Sequence, residues 1–94
     1  MTYIAKLVAV AKYKNLTDKF KPFVHFHSEL ENVEVSDNDR IAILQIESTE
    51  SYFPIFLKTK PTIEQIENKL TKQETKLNSE ARKLLLRHLE EEQK

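Results

Sequence analysis

This chain of 94 residues contains no glycine, so every turn must be built from residues that carry a Cβ. Positive φ is open to glycine at no steric cost and to few other residues, chiefly asparagine and aspartate. Two-residue hairpins are therefore disfavoured, and the turns are expected to use Asn and Asp at Lys14-Asn15, Glu31-Asn32 and Ser36-Asp37-Asn38-Asp39, in connections somewhat longer than minimal. Phosphate-cradling loops and dinucleotide turns need glycine where the backbone meets the ligand closely. A nucleotide-hydrolysing or dinucleotide-dependent enzyme is accordingly not expected, and no cofactor is implied.

The length suits one domain, residues 1–94, with one modest core. Cysteine is absent, which removes disulfides, thiolate metal sites and cysteine nucleophiles, so stability has to come from packing. The apolar start MTYIAKLVAVA is interrupted by Lys6, lacks the flanks of a signal peptide, and falls short of the roughly 18 apolar residues of a membrane span. It is read as a strand, in a cytoplasmic protein with no membrane partner.

The period of the apolar residues changes at Lys60-Pro61. Before it, β-branched and aromatic runs predict strands near 3–13, 20–27, 40–47 and 52–58, with a short strand from Val33 to Val35. Both faces are apolar around Leu7 to Val10 and Ile41 to Ile46, which suggests central strands or faces covered by helix. Pro54 suggests an edge or a bulge. After Pro61, Thr62 with Gln65 fits a capping box, and Ile63, Ile66, Leu70, Leu77, Ala81, Leu84, Leu85, His88 and Leu89 share one side of a helix. A single helix over 62–94 would be about 48 Å long and would call for a second chain to cover it. A break at Asn78-Ser79, with Glu80 in the following first turn, gives two ordinary helices and is preferred. Glu90, Glu91 and Glu92 oppose the dipole of the last turn, which is expected to fray. The fold class is thus α+β: a small antiparallel β-meander or partly open barrel over residues 3–58, a β-rich body of residues 1–60, then one or two amphipathic helices in 61–94 that pack on the body or self-associate.

Charge is balanced overall but not locally. Residues 1–27 carry five lysines against Asp18, a net +4, whereas residues 28–60 carry a net −4. Such blocks can steer an anionic partner or pair with each other across the fold. Within the basic block, strand alternation of KFKPFVHFH would place Lys19, Lys21, Phe23, His25 and His27 on one face, with Phe20, Pro22, Val24 and Phe26 turned into the core. Rings that stack on bases beside lysines that meet phosphates would make the first face a platform for single-stranded nucleic acid. The segment FVHF, residues 23–26, resembles the second ribonucleoprotein motif of cold-shock domains, which implies base stacking by Phe23 and His25 in an oligonucleotide-binding barrel. The likeness covers four residues, and YKNLTDKFK before it lacks that family's Gly- and Phe-rich companion motif.

Other chemistries are less well supplied. His25-x-His27 offers two imidazoles where a zinc site needs three or four ligands, so no metal site is expected. The carboxylates Glu29, Glu31, Glu34, Asp37, Asp39, Glu47 and Glu50 fall at predicted turns and strand ends and read as a solvated rim, and no nucleophile pattern accompanies them. The chain therefore reads as a small non-enzymatic binding module whose partner is single-stranded nucleic acid. The alternative is a protein-interaction module, an inhibitor or accessory subunit, using Tyr52, Phe56, Leu77, Leu84, Leu86 and His88, with a homodimer through the C-terminal helix. That alternative expects one aromatic pair of Tyr52 to Phe56 to stay exposed.

Overall fold

Sheet faces that are apolar on both sides require cover on both sides, and the chain supplies it from opposite directions. The computed structural model describes residues 2–59 and 61–92. The elements run β1 (Tyr3–Lys12), α1 (Lys21–Glu31), β2 (Arg40–Ile46), β3 (Tyr52–Phe56), α2 (Ile63–Thr71), β4 (Thr75–Leu77) and α3 (Ser79–Glu92), with single 3-10 turns at Tyr13–Asn15 and Leu57–Thr59. The strands form a curled mixed sheet in the order β3-β2-β1-β4, antiparallel except for the parallel β1–β4 pair. The α+β architecture with helices after the β-rich half is as expected.

Period-2 alternation sorts the sheet into two cores. Ala42 and Leu44 of β2 and Phe53 and Ile55 of β3 pack with Ile66 and Leu70 of α2 and Leu85 and Leu89 of α3. Ile41 and Ile43, with Tyr52 and Phe56, pack on the other side with Val24 of α1 and with Leu16. β1 serves both cores by a bulge: its pairing with β2 shifts between Leu7 and Ala9. Ala5 and Leu7 face the α2/α3 core, Ala9 and Ala11 face the α1 core, and Val8 absorbs the change of parity.

The main correction concerns residues 20–27. Residues 21–27 form the first part of α1, with Phe20 as its N-cap, and not a strand. Their aromatic and β-branched content imitates a strand, but Phe20, Phe23, Val24 and His27 recur at helical spacing, and Pro22 sits in the first turn, where its missing N–H is no loss. Asn32 closes the helix with left-handed backbone at φ 56°, and the Val33 N–H donates to the Ser28 carbonyl at 2.9 Å. The stretch Val33 to Val35 is not a strand; both valines pack against the α1 core from a loop.

The C-terminal part takes the preferred two-helix form, with the second helix starting at Ser79, and adds a short strand that was not expected. Thr62 and Gln65 make the expected capping box, and Asn78 caps α3, its Oδ1 accepting from the Glu80 and Ala81 N–H groups at 2.7 and 3.0 Å. Between the helices, however, Thr75–Leu77 form a strand beside β1, held by Tyr3 N–H to the Glu74 carbonyl and Asn78 N–H to the Ala5 carbonyl, both 2.9 Å. A continuous 48 Å helix would outrun the longest molecular dimension of 36 Å. The turn with Glu90, Glu91 and Glu92 is helical, while the expected boundary residue Lys60 and positions 93 and 94 lie outside the described residues. No helix among the described residues is long and apolar enough to cross a membrane.

Pro54 lies on the outer strand β3, the edge position expected of it. Because the Ile46 N–H donates to the Ser51 carbonyl at 3.1 Å, the register turns Phe53 and Ile55 toward β2 and the backbone of Tyr52, Pro54 and Phe56 outward. The centre of that edge therefore offers no N–H to a strand from another chain.

Candidate protein-docking surface

α1 is amphipathic in an unusual way: it has an apolar inner face and a second apolar row outside. Val24 and Ser28 are buried against the sheet, and the Ser28 hydroxyl donates to the His25 carbonyl at 2.8 Å. Phe20 and Phe23 meet the Tyr52 ring edge-on at centroid distances of 5.0 and 5.1 Å. This is a packed aromatic cluster whose members are spent on one another.

On the outer side, Pro22, Phe26 and Leu30 follow one another at four-residue spacing and form a row along the helix. Phe26 is 57% exposed and Leu30 66%. Beside that row runs a second one, Lys21, His25 and Glu29, changing from basic to acidic along the helix. His25 Nε2 meets Glu29 Oε1 at 2.9 Å, and Lys21 lies 3.7 Å from Asp18 and 6.0 Å from the Tyr13 ring centre. Phe26 continues inward to a hollow of about 450 Å³ lined by Phe23, His27, Tyr52 and Phe53. Past the far side of α1, a groove of about 370 Å³ runs along the β3 edge, between Glu31, Pro54, Phe56 and the α2 residues Gln65, Lys69 and Lys72.

The sequence reading put Phe26 in the core and missed Leu30. The helical spacing Pro22, Phe26, Leu30 was the signal that could have found both. The five residues expected on one strand face are instead distributed around the helix at about 100° per residue. His25 and His27, two positions apart, point to nearly opposite sides, so they do not converge on one metal. Among the described residues no group of three His, Asp or Glu side chains is placed to hold an ion. His27 turns inward, its ring 5.1 Å from that of Phe53; burial lowers its pKa below 6.5, Lys69 adds to the effect, and Glu31 opposes it. Lys69 lies 5.7 Å from the Phe53 ring centre and pairs with Glu31, tying α2 to α1. Lys19 is exposed, 5.2 Å from the Tyr52 ring centre, and its hydrogen bond with Tyr52 raises its pKa.

The expected aromatic anchors are not exposed. Tyr52 and Phe56 are buried under α1, and Phe53 and Ile55 under the other helices, so the strand is core on both faces. Leu77 packs against the α2/α3 core. On α3, Leu84 is half-buried while Leu86 is 42% exposed. His88 is half-buried; its Nδ1 lies 3.3 Å from an Arg40 nitrogen and 3.6 Å from Glu91. The acidic residues do not gather into a cleft. Asp39 caps its own loop by accepting from the Ser36 N–H at 2.8 Å, and lies 3.1 Å from Lys58; these contacts, the Ser36 bond foremost, lower its pKa. The basic and acidic blocks meet here, since Tyr13 and Lys14 donate backbone hydrogen bonds to the Asp39 and Asp37 carbonyls at 2.8 and 3.0 Å.

Comparison with known proteins gives a family match and one uncharacterized relative. Residues 3–89 match the family described as a domain of unknown function, DUF749. An uncharacterized protein of Methanocaldococcus jannaschii is 27% identical over 89 residues, which cover 94% of this chain and 79% of that protein. No solved structure matches.

Proposed function

The chain belongs to the DUF749 family, and from that premise we propose that it is a small non-enzymatic binding module that docks a protein on the outward face of α1. The observation that carries this reading is the pair Phe26 and Leu30, 57% and 66% exposed one helical turn apart, on a helix whose inner face is already filled. An isolated exposed apolar residue is ordinary, but two in a row beside an apolar hollow are the usual form of a helix that meets a partner. The charged row alongside them supplies a polar rim. The absence of cysteine fits a cytoplasmic setting, where packing and not disulfides holds a small domain.

Single-stranded nucleic acid is the second reading, and the local charge and ring geometry favour it less. Lys21 has Asp18 beside it, Lys19 rests on Tyr52, and the acidic loop of Asp37 and Asp39 adjoins the basic segment. Phe23 is engaged with Tyr52 and so is not free to stack on a base.

Two measurements separate the readings. A photo-crosslinking side chain at position 26, introduced in cells, is expected to give protein adducts that disappear with Leu30→Glu and are not produced from position 83, on the exposed side of α3. Equal adducts from both positions would overturn the reading. Anisotropy titration with single-stranded DNA and RNA at two salt concentrations is expected to show no tight binding. Salt-sensitive binding lost in Phe23→Ala plus His25→Ala would establish the nucleic-acid reading in its place.

A further inference from the structure

The charge order of α1 runs against its own dipole. A helix favours acids in its first turn and bases in its last; α1 has no acid in its first turn and no base in its last, but Lys21 at the start and Glu29 and Glu31 at the end. Lys69 of α2 neutralises Glu31 within the molecule. At the other end Lys21 meets Asp18 at 3.7 Å, a pair whose carboxylate is fully exposed and which is therefore weak, and Glu29 has His25, an exposed partner that is charged only when protonated. A helix of opposite direction laid along the outer face would bring acid to the basic end and base to the acidic end.

The two outer rows match that requirement symmetrically. Pro22, Phe26 and Leu30 are centred on Phe26, and Lys21, His25 and Glu29 are centred on His25, so one two-fold axis between these central residues serves both rows. We infer that the occupant of the α1 face is a second copy of this chain, packed antiparallel, with Phe26 against the partner's Phe26, Pro22 against the partner's Leu30, and Lys21 against the partner's Glu29. The inference rests on the docking reading above and names its partner. A two-fold contact of this kind is self-complementary and closes at two copies. A helix of 11 residues offers only about 16 Å of length. One face of so short a helix buries less than the roughly 800 Å² per partner of a standard interface, so the dimer is weak and concentration-dependent.

The test uses sedimentation velocity from about 1 µM to about 1 mM, with the melting temperature of each variant as a check on folding. The wild-type chain is expected to dimerise with rising concentration. Phe26→Glu is expected to stay monomeric with an unchanged melt. Lys21→Glu and Glu29→Lys each set like charges face to face at both symmetric contacts, and each is expected to weaken the dimer by about 5-fold or more. An equimolar mixture of these two variants restores opposite charges at both contacts and is expected to recover wild-type association. Because the chain has no cysteine, direction can be read by cross-linking: Phe26→Cys joins to itself, while Lys21→Cys joins to Glu29→Cys and not to itself. Self-joining of Lys21→Cys, or a dimer that survives Phe26→Glu, overturns the inference. So does a wild-type chain that is monomeric at every concentration; in that case adducts from position 26 to other proteins would leave the docking reading standing, and their absence would remove both.

Discussion

Left-handed backbone in a chain without glycine has to be carried by other residues, and among the described residues Asn32, Ser48 and Glu74 carry it, at φ 56°, 68° and 57°. Asn32 is the residue type that tolerates this best and was expected as turn punctuation. Glu74 is not, because its Cβ crowds the backbone there at a cost of roughly 1–2 kcal/mol. Its carbonyl anchors Tyr3 of β1, so the turn is fixed by pairing in spite of the residue in it. Glu74→Gly is expected to raise stability by about 1 kcal/mol, after the larger entropy of the unfolded chain is allowed for. Urea unfolding should show a higher midpoint with the same slope. His27 gives a pH dependence of definite sign. Burial holds its folded pKa below the ordinary 6.5, so the folded state binds fewer protons, and stability is fully present above pH 6.5 and is lost as pH falls toward the folded pKa. The wild-type chain should therefore lose stability relative to His27→Asn between about pH 7.5 and 5.5, with a constant difference above that range. A difference that is flat throughout would show that His27 is not shielded.

At the level of elements, helix starts are the features with the largest local signal. Asn78→Ala removes two backbone hydrogen bonds to the Asn78 side chain at the start of α3 and is expected to cost about 1 kcal/mol in chemical unfolding. That cap was legible in the sequence because its chemistry is local: an Asn, a Ser and an acid in the following turn. The same holds for the Thr62 capping box, for the edge position of Pro54, and for β2 and β3, whose apolar runs are long enough to show. Two elements were not legible for opposite reasons. α1 carries aromatic and β-branched residues that suit a strand, and only the spacing of Phe20, Val24 and His27 against Pro22, Phe26 and Leu30 reveals two rows on a helix. β4 is only three residues long and has no pattern of its own. It exists because β1 presents an open edge and Asn78 donates to it, a long-range condition that a local reading does not contain. The candidate site followed the same course: the right segment was singled out, but on the wrong period, so the residues turned to solvent were assigned to the core.

For the whole molecule, the expected division into a β-rich body of residues 1–60 and a helical segment after it understates their dependence. The later segment covers one entire sheet face and adds the fourth strand. A fragment ending at residue 60 would bare Ala42, Leu44, Phe53, Ile55 and Leu57, all buried in the intact chain. At roughly 25 cal/mol per Å² of apolar surface, the loss exceeds what a small domain has in reserve. The fragment is expected to lack the cooperative thermal transition of the full chain by circular dichroism. A cooperative melt in the fragment would show that the α1 core suffices alone.

The parallel pair of β1 with β4 joins Tyr3 to Thr75 and Ala5 to Leu77, nearly the two ends of the fold. A ribosome delivers the first of these strands long before the second, and at about 5–20 residues per second the interval is several seconds. For that time the nascent chain carries a strand edge whose permanent neighbour has not been made. Lys6, exposed within β1 just past the residues that β4 will pair, is the type of residue that keeps such an edge from joining the wrong chain during that interval.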